Sequence, residues 1–156
     1  MGAAAIISAY RHAWQRETPF EIYGAIAAHP FRYAAHQQAS RKAQLNAAPS
    51  FVYMYKWRTP MLDNRPGTFH ACDLAFAFDN AVRCDQYSGL NPDALRLSRH
   101  IASAWVAFAR SGDPNHVDLP HWPAHVGDHR AIMIFDSVCA VRHGLEADGL
   151  ELVARS

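Results

Sequence analysis

Residues 65–80 read RPGTFHACDLAFAFDN, a Pro-Gly loop, one histidine at His70, and then an apolar run. Immediately upstream, residues 51–57 read FVYMYKW, between Pro49 and Thr59-Pro60. A short aromatic run bounded by turn residues reads as a strand buried on both faces, as in a parallel sheet. His70 then lies on the loop beyond that strand's carboxyl end. Open α/β sheets gather ligands and chemistry at that end.

The flanking segments extend the pattern. Ala3 to Trp14 reads as a short helix. Thr18-Pro19-Phe20-Glu21 reads as a helix start, with Thr18 as cap, Pro19 at the first position and Glu21 closing a capping box. Ile22, Ala25 and Ile26 form its apolar face, and Pro30 ends it. A more polar helix is expected over Tyr33 to Asn46. Asn91-Pro92-Asp93 opens a long helix on which Leu97, Ile101, Ala104, Trp105 and Phe108 form one stripe. That helix stops at Ser111-Gly112-Asp113-Pro114. Ala131 to Phe135 and Val138 to Val141 read as strands joined at a tight Asp136-Ser137 turn. The fold class is therefore mixed α/β, with about three strands and three to four helices. So narrow a sheet leaves an open edge.

Composition narrows the function. The 156 residues are 50% hydrophobic and 19% charged, a globular balance. Fifteen basic and 14 acidic residues give a formal net charge of +1, with no basic cluster beyond Arg41-Lys42. Neither a nucleic acid nor an anionic membrane is indicated as partner. No apolar stretch approaches the roughly 20 residues of a membrane span. The N-terminal residues lack a basic segment of signal-peptide type, and Cys72, Cys84 and Cys139 show no disulfide or metal spacing. Those features lean towards the cytoplasm, and no cofactor is called for.

His70 has the chemistry of a general base. A neutral imidazole takes a proton from a hydroxyl and returns it to a leaving group. It needs a nucleophile at one ring nitrogen and a carboxylate at the other. With ten histidines in the chain, an ordinary structural role is the competing reading.

The motif in residues 65–80 resembles the histidine loop of the type-B carboxylesterase/lipase family. Gly67, His70, Asp73, Leu74, Phe76, Phe78 and Asn80 fall on its positions, while Ala75 replaces a frequent proline and Asp79 a frequent glycine. SRHIASAWVAFARSGDPN (98–115) resembles the family's C-terminal helix and its exit, through Trp105, Phe108, Ala109, Gly112, Asp113, Pro114 and Asn115. LPHWPAH (119–125) and RAIMIFD (130–136) resemble its Trp-Pro element and closing strand. The resemblance implies the C-terminal part of an α/β-hydrolase fold. It also implies hydrolysis of a small-molecule carboxylic ester through an acyl-enzyme, with His70 as catalytic base.

The rest of the machinery is not in these residues. No G-x-S-x-G occurs, and Ser88-Gly89 and Ser111-Gly112 both follow His70, against the chain order serine, acid, histidine. No acidic residue upstream fits the triad acid, Glu17 and Glu21 reading as a solvated residue and a helix cap. Gly67 and Asp73 are expected to support the histidine loop; Asp73 as a substitute acid, or Cys72 paired with His70, are the other options weighed. The expectation is one partial domain over 1–156, a truncated or split product that is inactive alone. It comprises a helical lead-in (1–48), a strand with the histidine loop (51–80), and a helix with closing strands (91–141). Its partner would be the missing N-terminal portion of the esterase. Two alternatives stand beside this. One is a non-catalytic interaction module pairing through the open sheet edge. The other is a metal-binding protein built on His116, His121, His125 and His129, although Pro120, Pro123 and Gly127 break the helix such spacing would need.

Overall fold

Helix α1 (Ala3–Ala13) leads to the capping box expected at Thr18. The Thr18 hydroxyl accepts from the Glu21 N–H, and Glu21 Oε2 accepts from the Thr18 N–H at 2.8 Å, starting α2 (Pro19–Ala27). The computed structural model describes residues 2–13, 18–45, 48–126 and 130–144. Trp14, Glu17, Asn46, Gly127 and His129, which carry parts of the sequence reading, lie outside them. Pro30 does more than stop α2. It sits in the first turn of α3 (His29–Gln44), so this helix begins four residues earlier than Tyr33. A proline there loses no hydrogen bond, because first-turn N–H groups have no helical acceptor.

The sheet has three strands, β1 (Val52–Tyr55), β2 (Ala131–Phe135) and β3 (Ala140–His143), in the order β1-β2-β3. β1 and β2 are parallel, with Val52 opposite Ile132 and Tyr55 opposite Phe135; β2 and β3 are antiparallel. All five residues of β2 are buried. The strand covered on both faces is thus β2, and the expectation for residues 51–57 is corrected. β1 pairs with β2 alone among the described residues, and Tyr53 on it is 39% exposed. An aromatic run does not reveal whether a strand has one neighbour or two. Trp57 does enter the core. β3 starts at Ala140, two residues later than Val138, because Val138 is exposed in the preceding bend.

Two four-residue helices, α4 (Leu74–Ala77) and α5 (Asp85–Ser88), precede the long α6 (Pro92–Ser111). Six α-helices among the described residues replace the three to four expected. One turn is too short to display a helical period. α6 is capped as its sequence dictates. Asn91 Oδ1 accepts from the Ala94 N–H at 2.8 Å, and Gly112 closes it at φ +76°. Leu97, Ile101 and Ala104 bury against Phe76, Trp122, Met133 and Phe135. Phe108 leaves the core and is 46% exposed, which corrects the last position of the stripe. Beyond α6, Asn115 fastens the Trp-Pro element: its Oδ1 accepts from the Trp122 N–H at 2.6 Å, and its Nδ2 donates to the Trp122 carbonyl at 2.9 Å.

The lead-in has its own small core of Tyr10, Ile22 and Ala25. α3 ties it to the sheet: Ser40 Oγ and His125 Nε2 share a hydrogen bond of 3.2 Å, and the His125 N–H donates to the Ser50 carbonyl at 2.7 Å. Among the described residues no helix is long and apolar enough to cross a membrane.

Candidate active site

The chain leaves β1 at its carboxyl end, makes an excursion, and is brought back before it reaches His70. The Thr59 N–H donates to the Gly67 carbonyl at 3.1 Å, and the Thr68 hydroxyl donates to the Trp57 carbonyl at 2.9 Å. Residues 67 and 68 therefore lie against the strand's exit. Gly67 is suited to this turn. It has φ +58°, and a Cβ there would stand 2.9 Å from Glu21 Oε1.

The loop is tied down again after His70. Asp73 Oδ2 accepts from the Tyr53 hydroxyl at 3.3 Å, across to β1. The apolar run then turns into α4, where Phe76 is fully buried with its ring 5.4 Å from that of Tyr55 and 5.9 Å from that of Trp57. His70 is the exposed crest between these anchors. Ala71 follows at φ +68°, which swings the chain inward so that Cys72 is buried.

Several sequence options separate here. Asp73 turns to Tyr53, and no described residue hydrogen-bonds the His70 imidazole. Asp73 therefore holds the loop to the strand instead of forming a carboxylate–imidazole pair. Cys72 is 4% exposed, and burial, the largest cause, pushes its thiol up to about 11. A thiol so disfavoured as thiolate is a poor nucleophile near neutral pH, and a Cys72–His70 pair has no support. The late histidines point in different directions. The His116 ring meets the His100 carbonyl at 3.0 Å, and His125 meets Ser40. Among the described residues no group of three His, Cys, Asp or Glu side chains could hold a metal ion.

Sequence reasoning missed Tyr53 and Arg58. Arg58 pairs with Glu21 beside Gly67, and Glu21 thus serves as more than a cap. The signal for Tyr53 lies in the outward register of a half-exposed strand, which the expectation of a strand covered on both faces conceals. No local pattern joins Glu21 to residues 58 and 67. A groove of 330 Å³ separates α3 from residues 50–53 and does not include His70.

Comparison with known proteins shows the family and fold of the chain. The model of the carboxylesterase family matches residues 10–152. The chain is 30% identical over 133 residues to phenmedipham hydrolase of Pseudarthrobacter oxydans, covering 81% of this chain and 27% of that protein. It is 30% identical over 112 residues to para-nitrobenzyl esterase of Bacillus subtilis, covering 70% of this chain and 22% of that protein. Among solved structures, an esterase from Clostridium hathewayi superposes with a TM-score of 0.75 at 24% identity, over 97% of this chain and 29% of that one. The chain thus spans between a fifth and a third of the length of these proteins.

Proposed function

Because this chain belongs to the carboxylesterase family, we propose that it is the histidine-bearing share of a serine-type carboxylic ester hydrolase, with His70 as general base. One observation carries the reading: His70 is exposed at the carboxyl end of a parallel strand, on a loop fastened to that strand before and after it. An imidazole held in this way is open to a substrate and to a serine on another segment. In the reaction, His70 takes the hydroxyl proton as the serine attacks the ester carbonyl. It gives that proton to the departing alcohol. It then takes a proton from water, whose oxygen attacks the acyl-enzyme, and returns it to the serine.

The serine, the triad acid and the oxyanion donors would come from sequence outside these 156 residues. The partner proposed is therefore the portion of an esterase-family domain that supplies them. The substrate proposed is a small carboxylic ester. Turnover of p-nitrophenyl acetate tests this. It is expected from the chain mixed with such a portion and not from the chain alone. Equal turnover by the isolated chain would contradict the division of labour.

A second reading rests on β1, whose outer edge has no partner among the described residues. Unpaired N–H and C=O groups on an edge template another strand. On this reading the chain is a binding module that adds a strand there. Sedimentation would then show a defined oligomer or complex, and His70→Ala would leave its function intact.

A further inference from the structure

We propose that Glu21, in the helical lead-in, is a positioning residue that holds the histidine loop through Arg58 and Gly67. This rests on the reading of His70 given above.

The two carboxylate oxygens of Glu21 have different tasks. Oε2 accepts from the Thr18 N–H and hydroxyl, both at 2.8 Å, and completes the capping box. That box needs only one oxygen. Oε1 pairs with Arg58, and it stands 2.9 Å from where a Cβ on Gly67 would lie, so a side chain there would push the carboxylate aside. The side chain of Glu21 is only 11% exposed despite its position at a helix start. Arg58 is followed by Thr59, whose N–H donates to the Gly67 carbonyl. Outgoing and returning arms of the loop therefore meet at one carboxylate. His70 lies three residues past that junction. The Arg58 side chain is 48% exposed, so the pair is partly screened and its role is to fix position more than to add stability. The lead-in thereby fixes the approach to His70, a task that a helix cap alone does not perform.

The test separates cap from clamp. Glu21→Gln keeps an acceptor for the capping box, since glutamine also serves at that position, and removes the charge facing Arg58. Thr18→Ala does the reverse. Amide hydrogen exchange and the His70 Cε1–H resonance are read by NMR on the full chain. In Glu21→Gln, and equally in Arg58→Gln, the Thr59 amide is expected to exchange about tenfold faster or more. The His70 resonance should shift or double, while the amides of α2 and β2 keep their protection. Arg58→Lys, which keeps the charge, should restore both signals in part. Thr18→Ala should fray α2 and leave Thr59 and His70 unchanged.

Unchanged Thr59 exchange in Glu21→Gln would overturn the clamp. So would faster exchange with an unmoved His70 resonance, which would reduce it to a local tie. Neither measurement needs ester turnover, so the clamp and the esterase reading fail independently.

Discussion

The Tyr53 hydroxyl donates to Asp73 Oδ2 across 3.3 Å, so the edge strand of the sheet grips the loop three residues past His70. Burial pushes the Tyr53 phenol up to about 12, with the Asp73 charge and hydrogen bond adding to it. Native Tyr53 thus stays protonated where an unfolded tyrosine, at 10, ionises. Its contribution to stability is whole below pH 10 and is lost as pH rises towards 12. Absorbance titration of the phenol checks this. Asp73→Asn should bring the midpoint part of the way back towards 10, because burial, the larger cause, remains. An unmoved midpoint would show that Asp73 does not hold Tyr53.

Asp79 occupies the position where the resembled motif favours glycine, and it has φ +51°. A left-handed residue with a side chain costs about 1–2 kcal/mol, and aspartate tolerates the region better than most. Its Oδ1 also accepts from the buried Ser98 hydroxyl at 2.8 Å, which ties the loop to α6. Asp79→Gly exchanges backbone strain for a lost hydrogen bond, and we expect it within about 1 kcal/mol of the parent in urea unfolding. Asp79→Val loses the bond and keeps the strain, and should cost about 2 kcal/mol or more.

Phe76 and Phe108 look alike in the sequence, each in an apolar segment, but differ in the fold. Phe76 is 0% exposed, and Phe108 is 46% exposed with an edge contact to the Phe51 ring at 6.1 Å. Phe76→Ala should lose about 3–5 kcal/mol in denaturant unfolding. Phe108→Ala should lose about 1 kcal/mol or less. Similar losses at the two sites would contradict the core described.

His36 on α3 meets His125 with ring centroids 5.7 Å apart. Burial first, then His125, Arg130 and Arg32, push His36 from 6.5 down to about 4. Between those values the unfolded chain binds a proton that the native chain refuses. Stability is therefore full above pH 6.5 and falls as pH drops to 4. The loss from this residue is on the order of 3 kcal/mol. Unfolding midpoints across this range should slope less in His36→Gln, and an unchanged slope would remove His36 from the account.

Much of this was legible in the sequence for a physical reason: it was encoded locally. The Thr18–Glu21 box, the Asn91 cap and the Gly112 stop each complete their bonds within a few residues, and each formed as read. The resemblance of residues 65–80 could be read because that stretch is contiguous. What stayed hidden depends on distant segments. Which strand is central is decided by pairing between residues 52–55 and 131–135, so the coverage of β1 could not be read from FVYMYKW. The links from Tyr53 to Asp73 and from Glu21 to Arg58 and Gly67 join separate stretches in the same way. The short α4 and α5 escaped because a single turn shows no periodicity.

The role of His70 is tested most directly in a chimaera in which this chain replaces the matching portion of Bacillus subtilis para-nitrobenzyl esterase, which it resembles at 30% identity. Hydrolysis of p-nitrophenyl acetate is measured with His70 and with His70→Ala. We expect the substitution to lower kcat by about 10³-fold or more while leaving KM near its parent value. A chimaera that hydrolyses the ester equally well without the imidazole at position 70 would contradict the account.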